Sequence, residues 1–280
     1  MLLLLQSLHH PILCCTQNPK PKPKSNPKLL PHQPFLLLQF RNSQRQNRLR
    51  YLKNLGLKPA TSSPSDETLH WILSVVDFLK SKGFSDSDFP RLSFLAPSIF
   101  SSLDVDRSLN PVFSFLYNDL LASPQQARGL ILRCPTLLTS NITYCLQPTL
   151  SFLRELGIKN LNVPTNLNAH LLNTPVDKLI SKIEFLEDWG LNREDASKIC
   201  ARCPAIFGYS DENNLRPKVE YLVYKMKRSI EEVKEFPQYF GFSLERRIVP
   251  RYLYLEQRKV SVPMRNMLAW SDEKFYAKWK

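Results

Sequence analysis

The residues best suited to chemistry in this 280-residue chain are cations set in a repeating frame. An eight-residue phrase recurs six times, beginning at Ile72, Leu109, Leu146, Leu179, Leu215 and Ile248. With the first residue of each copy as offset 0, offsets 3 and 10 lie one heptad apart, hence on one side of a helix. They hold Lys218 and Lys225 in the fifth copy and Arg251 and Arg258 in the sixth. In the fourth, offset 3 is Lys182 and offset 10 is Trp189; in the first three, offset 3 is Val75, Val112 and Thr149. Stacking the last three copies would align these cations into a ladder, extended by Arg246 and Arg247 in the preceding turn. Such a row suits a phosphate backbone, since phosphate contacts supply much of the affinity for nucleic acid. The competing reading is a solvated face of surface helices.

Other constellations carry less. Cys200-Ala-Arg-Cys203 has metal-ligand spacing, but a zinc site needs four ligands. Cys203 matches Cys134, each just before a proline, which suits a small buried side chain. His70 and His170 stand a hundred residues apart, and neither joins a nucleophile or acid/base set. Glycine-rich phosphate loops are absent from the sequence. The expectation is a non-enzyme with no catalytic residue, no cofactor and no metal.

The elements that position the cations follow from the phrase. An aliphatic residue stands at offset 0, an apolar one at 4, Phe or Tyr at 6 and Leu at 7. Offsets 0, 4 and 7 share one face of a 3.6-residue period, so each copy supplies a helix with a stripe it cannot bury alone. The copies start 33 to 37 residues apart, a period that means stacked helical units. Gly83, Gly157 and Gly190 all fall at offset 11, where a left-handed residue ends a helix. A second helix follows, started by Ser85 or Asp86, by Ser123 with Pro124, by Asn192, and by Ser229 with Glu232 as a capping box. Pro97, Pro135, Pro204 and Pro237 end it, each followed by large apolar residues that predict a short turn packed beneath the pair. The third unit departs, its proline being Pro175 at offset 29. Ser271 with Asp272 and Glu273 predicts a terminal capping helix. The recurring aromatics at offset 6 read as packing between units.

Charge divides the chain. Formal charge is +13. No acidic residue precedes Asp66, while that stretch holds 10 Lys and Arg; residues 66–215 are net −4 and residues 216–280 net +7. The leader is basic and proline-rich, from Pro19 to Pro34, and no apolar stretch approaches the roughly 20 residues of a membrane span. It reads as a disordered organelle transit peptide and linker over 1–65, ahead of a repeat domain over 66–280. Plastid is favoured over mitochondrion, because no Arg-bearing amphipathic helix stands at the start.

Six phrases in register, four with the Leu- or Ile-x-Pro start, are joined by Ser243-Leu-Glu-Arg-Arg-Ile-Val-Pro-Arg-Tyr252 and Ser271-Asp-Glu-Lys-Phe275. Together they resemble the mitochondrial transcription termination factor (mTERF) family, in particular its plant organelle branch. The first and fourth copies depart from it, with Ser74 and Ser181 in place of proline. The resemblance implies an all-α superhelix of about six units, each two helices and a short apolar turn, binding nucleic acid on a basic concave side. It implies a role in plastid transcription termination or regulation, or in transcript processing and splicing, by a monomer without membrane attachment. The alternative is a helical scaffold that binds proteins of the organelle transcription, splicing or ribosome machinery, which the acidic balance of 66–215 favours.

Overall fold

The computed structural model describes residues 34–57 and 64–280, the side chains of 34–41 excepted. The chain divides into two compact units, Met1–Gln44 and Arg45–Lys280. Of the first, the described part is the start of a helix spanning Pro34–Asn54. The expected transit peptide falls largely on residues outside those described. Where 45–57 is concerned the expectation of a disordered linker is corrected: it is helical to Asn54, and Leu52, Leu55 and Leu57 are buried in the core of the second unit. These three leucines supply an apolar face that acid-free composition concealed.

The second unit is all-α, with no strand among the described residues. The six phrases fall on helices Asp66–Ser81, 105–119, 142–155, Val176–Asp188, 211–225 and 244–257. Offsets 0 and 7 are buried in every copy, and offset 4 in all but the last, where Tyr252 is half-buried. The offset-6 rings reach the next element. Phe78 meets Phe113 with centroids 5.5 Å apart, Tyr221 meets Tyr252 at 5.9 Å, and Tyr254 meets Tyr276 of the cap at 4.8 Å.

Four of these helices open with a π turn, Val105–Leu109, Ile142–Leu146, Asp211–Leu215 and Leu244–Ile248. All four carry proline at offset 2, namely Pro111, Pro148, Pro217 and Pro250. Proline has no N–H to donate and its ring crowds the carbonyl four residues back. Shifting the preceding bonds to i→i−5, as in Leu109 N to Asp104 O at 3.1 Å, relieves that crowding. The copies with Ser74 and Ser181 instead are continuous α-helix.

Gly83, Gly157 and Gly190 take φ of +90°, +83° and +102° at the helix ends, as their common offset predicts. The second helices start at Ser85, Ser123 and Asn192 as expected. The Ser229–Glu232 capping box does not form: Ser229 Oγ accepts from the Glu231 amide instead, and Glu232 is held by Arg228 at 2.8 Å. Prolines 97, 135, 204 and 237 open 3-10 turns whose apolar residues, such as Ile206 and Phe207, are buried. Pro175 caps the next unit's helix rather than opening such a turn. Ser271 caps the terminal helix Asp272–Lys278.

Candidate nucleic-acid interface

The predicted ladder separates into two structurally different columns. Offset 3 faces inward in every copy: Val75, Val112 and Thr149 are buried, and so are Lys218 and Arg251. The polar members reach into the connection that follows their helix. Thr149 donates to Thr174 O at 2.8 Å, and Lys182 pairs with Asp211 at 2.7 Å. Lys218 Nζ donates to Phe240 O at 2.6 Å and Asn214 Oδ1 at 2.7 Å, and lies over the Tyr209 ring. Burial pushes its pKa below the ordinary lysine value. Arg251, 1 % exposed, donates to Met267 O at 2.7 Å and Trp270 O at 2.9 Å, and pairs with Asp272. Arg247, half-buried, donates to Leu268 O at 3.0 Å and to Trp270 O. Lys182, Lys218, Arg247 and Arg251 are thus clasps between consecutive segments, and the expected single row is corrected: none of them projects freely toward a polyanion. Their sequence column signalled this, since a position that is aliphatic in two copies faces the core.

Offset 10 is different. Lys225 and Arg258 are exposed at the C-terminal tips of the fifth and sixth first helices. Lys227 and Lys259 are exposed beside them, and neither was singled out from sequence. No carboxylate pairs with any of the four among the described residues. The two tips are adjacent: Tyr252 Oη donates to Lys225 O at 3.2 Å, and Arg228 Nη2 to Val262 O at 2.6 Å. The Arg258 guanidinium is laid over the Tyr254 ring at 3.5 Å, which limits its freedom before any ligand arrives. Arg246, also exposed, stands at the opposite end of the sixth helix, about 18 Å from Arg258 at 1.5 Å rise per residue. It does not join the same patch.

The tips of the other units carry less charge, Lys159 beyond the third helix being a lone exposed cation. Offset 10 is Asp119, Leu156 and Trp189 in the second to fourth copies. In the first, Lys82 is spread over the rings of Phe78, Phe113 and Tyr117, and Lys80 is held by Asp86 and Tyr51, which raise its pKa to about 12. Cations at helix C-termini are favourable for the helix itself, worth typically 0.3–1 kcal/mol. Lys227 and Lys259 also take left-handed φ of +54° and +55°, as Leu121 does at +57° at the same offset as Lys227 in the second unit. Lys259 occupies the column where three other units use glycine, the residue that adopts this conformation without strain.

The family model for mTERF matches residues 67–168 and 125–276, the greater part of the chain. The chain belongs to the mTERF family. Relatives include the chloroplastic transcription termination factor MTERF8 of Arabidopsis thaliana, 26 % identical over 88 % of this chain and 51 % of its own length. The chloroplastic MTERF2 of the same plant is 36 % identical over 35 % of this chain and 15 % of its own length. The mitochondrial MTERF15 of that plant is 28 % identical over 34 % of this chain and 22 % of its own length. The chain therefore spans at most about half the length of these relatives. Each of these three relatives is named a transcription termination factor, two of them chloroplastic and one mitochondrial.

Two further observations bound the chemistry of the mTERF fold here. Cys200 and Cys203 are both buried free thiols, and burial pushes the Cys200 pKa up to about 12. A thiol held protonated is a poor nucleophile, and both side chains lie in the apolar core. No helix among the described residues is long and apolar enough to cross a membrane.

Proposed function

We propose that this protein acts in plastids as a non-enzymatic nucleic-acid-binding factor, regulating or terminating transcription or taking part in transcript processing and splicing. The observation that carries the reading is the rim of four exposed, unpaired cations, Lys225, Lys227, Arg258 and Lys259, on adjacent helix tips. Two of them hold strained backbone where glycine would serve the fold better. Arg246 supplies a separate contact for a longer ligand. The plastid address is supported by a basic, acid-free leader and by relatives named chloroplastic. Bound at this rim, the protein would hold a nucleic-acid backbone by charge and obstruct whatever travels along it.

Fluorescence anisotropy of the 280-residue chain with labelled nucleic acid at low salt tests this directly. Lys225→Glu combined with Arg258→Glu should weaken binding at least about tenfold while the helical circular-dichroism signal is kept. Unchanged affinity in a folded double variant would remove the rim from the mechanism.

A second reading, a protein-binding scaffold, is favoured by the opposite end of the array. Phe94 is 84 % and Leu95 42 % exposed at the end of the first unit's second helix, within the net-acidic part of the chain. Co-purification of a protein after nuclease treatment, lost on Phe94→Ser, would support it.

A further inference from the structure

The offset-9 column of the first helices faces solvent and holds Ser81, Asn118, Glu155, Asp188 and Gln257 in five copies. In the fifth it holds Tyr224, which is 59 % exposed. Its ring is held edge-on by Trp189 of the fourth copy, centroids 6.2 Å apart. Its hydroxyl has no partner among the described residues. Neither burial nor hydrogen bonding therefore explains an aromatic in a column that is otherwise polar. The ring immediately precedes Lys225 and stands three residues before Lys227.

We propose that Tyr224 is a stacking platform for an unpaired base, and that this edge of the fourth to sixth units takes a single-stranded segment of nucleic acid. This rests on the nucleic-acid reading of the cationic rim. A ring presented at a surface can stack only on a base whose face is free. In a duplex each face is covered by the neighbouring pair, so the same ring could stack there only at an end or on a base turned out of the helix at a cost of a few kcal/mol. A strand with one base on Tyr224 directs its flanking phosphates along the helix tip toward Lys225 and Lys227, and onward to Arg258 and Lys259 on the adjoining tip. Stacking platforms interleaved with cations are the general means of holding single strands without reading sequence. Four cations on two neighbouring tips form a short track, which suits a few nucleotides of one strand better than the two backbones of a duplex.

The test is anisotropy with a mixed-sequence single-stranded RNA, the corresponding single-stranded DNA, and the duplex, using the 280-residue chain. Single strands should bind at least about tenfold more tightly than duplex. Tyr224→Ala should lose about tenfold on the single strands, within the range for one stacked base, and nothing on duplex. Tyr224→Phe should retain binding, because the face and not the hydroxyl is used. The RNA and DNA strands separate the two sources of an unpaired base, and preference for either supports the inference. Equal binding of duplex, or a silent Tyr224→Ala, overturns the single-strand inference and leaves the rim standing. Failure to bind any of the three, with no response to the charge reversals, overturns the function proposed above.

Discussion

Arg251 shows how a side chain read as a surface contact becomes a structural clasp. Its guanidinium joins Met267 O, Trp270 O and Asp272 across the last connection of the chain and sits 4.5 Å from the Phe275 ring centroid. Arg251→Met should destabilise the fold by about 2–4 kcal/mol, since buried carbonyls lose charged donors, with a lower urea midpoint as the readout. Arg258→Ala should change stability by less than about 0.5 kcal/mol and act on binding instead. The Asp272 carboxyl is held below its ordinary value of 3.8, chiefly by its hydrogen bond from Arg251. A carboxylate whose folded pKa is depressed contributes stability above its unfolded pKa and loses it as pH falls through the folded value. The cap should therefore loosen below about pH 3.8, seen as a change in tryptophan fluorescence from Trp270 and Trp279, whose rings lie parallel. Asp272→Asn, a neutral mimic of the protonated carboxyl, should abolish that acid transition by giving the loosened-cap signal at every pH. The sequence made Arg251 look free because one heptad separates it from Arg258. A helical wheel already puts offset 3 beside the 0, 4, 7 stripe; what it cannot show is that offset 10 has passed the end of the packed region.

At the level of elements, much was legible because main-chain geometry left marks in residue type. Glycine at offset 11 in three copies and proline after four of the second helices predicted helix ends and apolar turns that stand where expected. The π turns were not legible, because an i→i−5 bond leaves the apolar spacing downstream intact. Their correlation with proline at offset 2 makes them testable. Ser74→Pro, in a continuous α-helix, should cost about 3 kcal/mol or more, whereas Pro217→Ser, where the π turn already exists, should cost about 0.4–1 kcal/mol. Equal losses would sever the link between proline and π turn. The helix ends supply a sharper case. Lys227 and Lys259 hold left-handed backbone, so Lys227→Gly and Lys259→Gly should each raise stability by up to about 1 kcal/mol. If these lysines serve binding, the same changes should weaken nucleic-acid affinity. Stabilisation with unchanged affinity would make them accidents of the fold.

For the whole molecule, the net charge of +13 is a poor guide to where a polyanion binds. Ten of the cations precede Asp66, and the array itself runs from an acidic majority over 66–215 to a basic end. Within that end the fold sorts cations again, turning Lys218 and Arg251 inward and leaving four at the rim. Salt dependence measures this sorting, because the slope of log K against log salt counts phosphates neutralised, about −0.7 per contact for single strands and −0.9 for duplex. The intact chain can show a steep slope through its leader alone, so the informative quantity is a difference. Replacing Lys225, Lys227, Arg258 and Lys259 by alanine together should make the slope shallower by about 3 on single strands, the value for four lost contacts. Replacing four leader cations, Lys20, Lys22, Lys24 and Lys28, by alanine should change it without removing the response to Tyr224→Ala. A rim quadruple variant whose slope shifts by less than about 1 would assign the binding to the leader and remove the folded array from the proposed nucleic-acid contact.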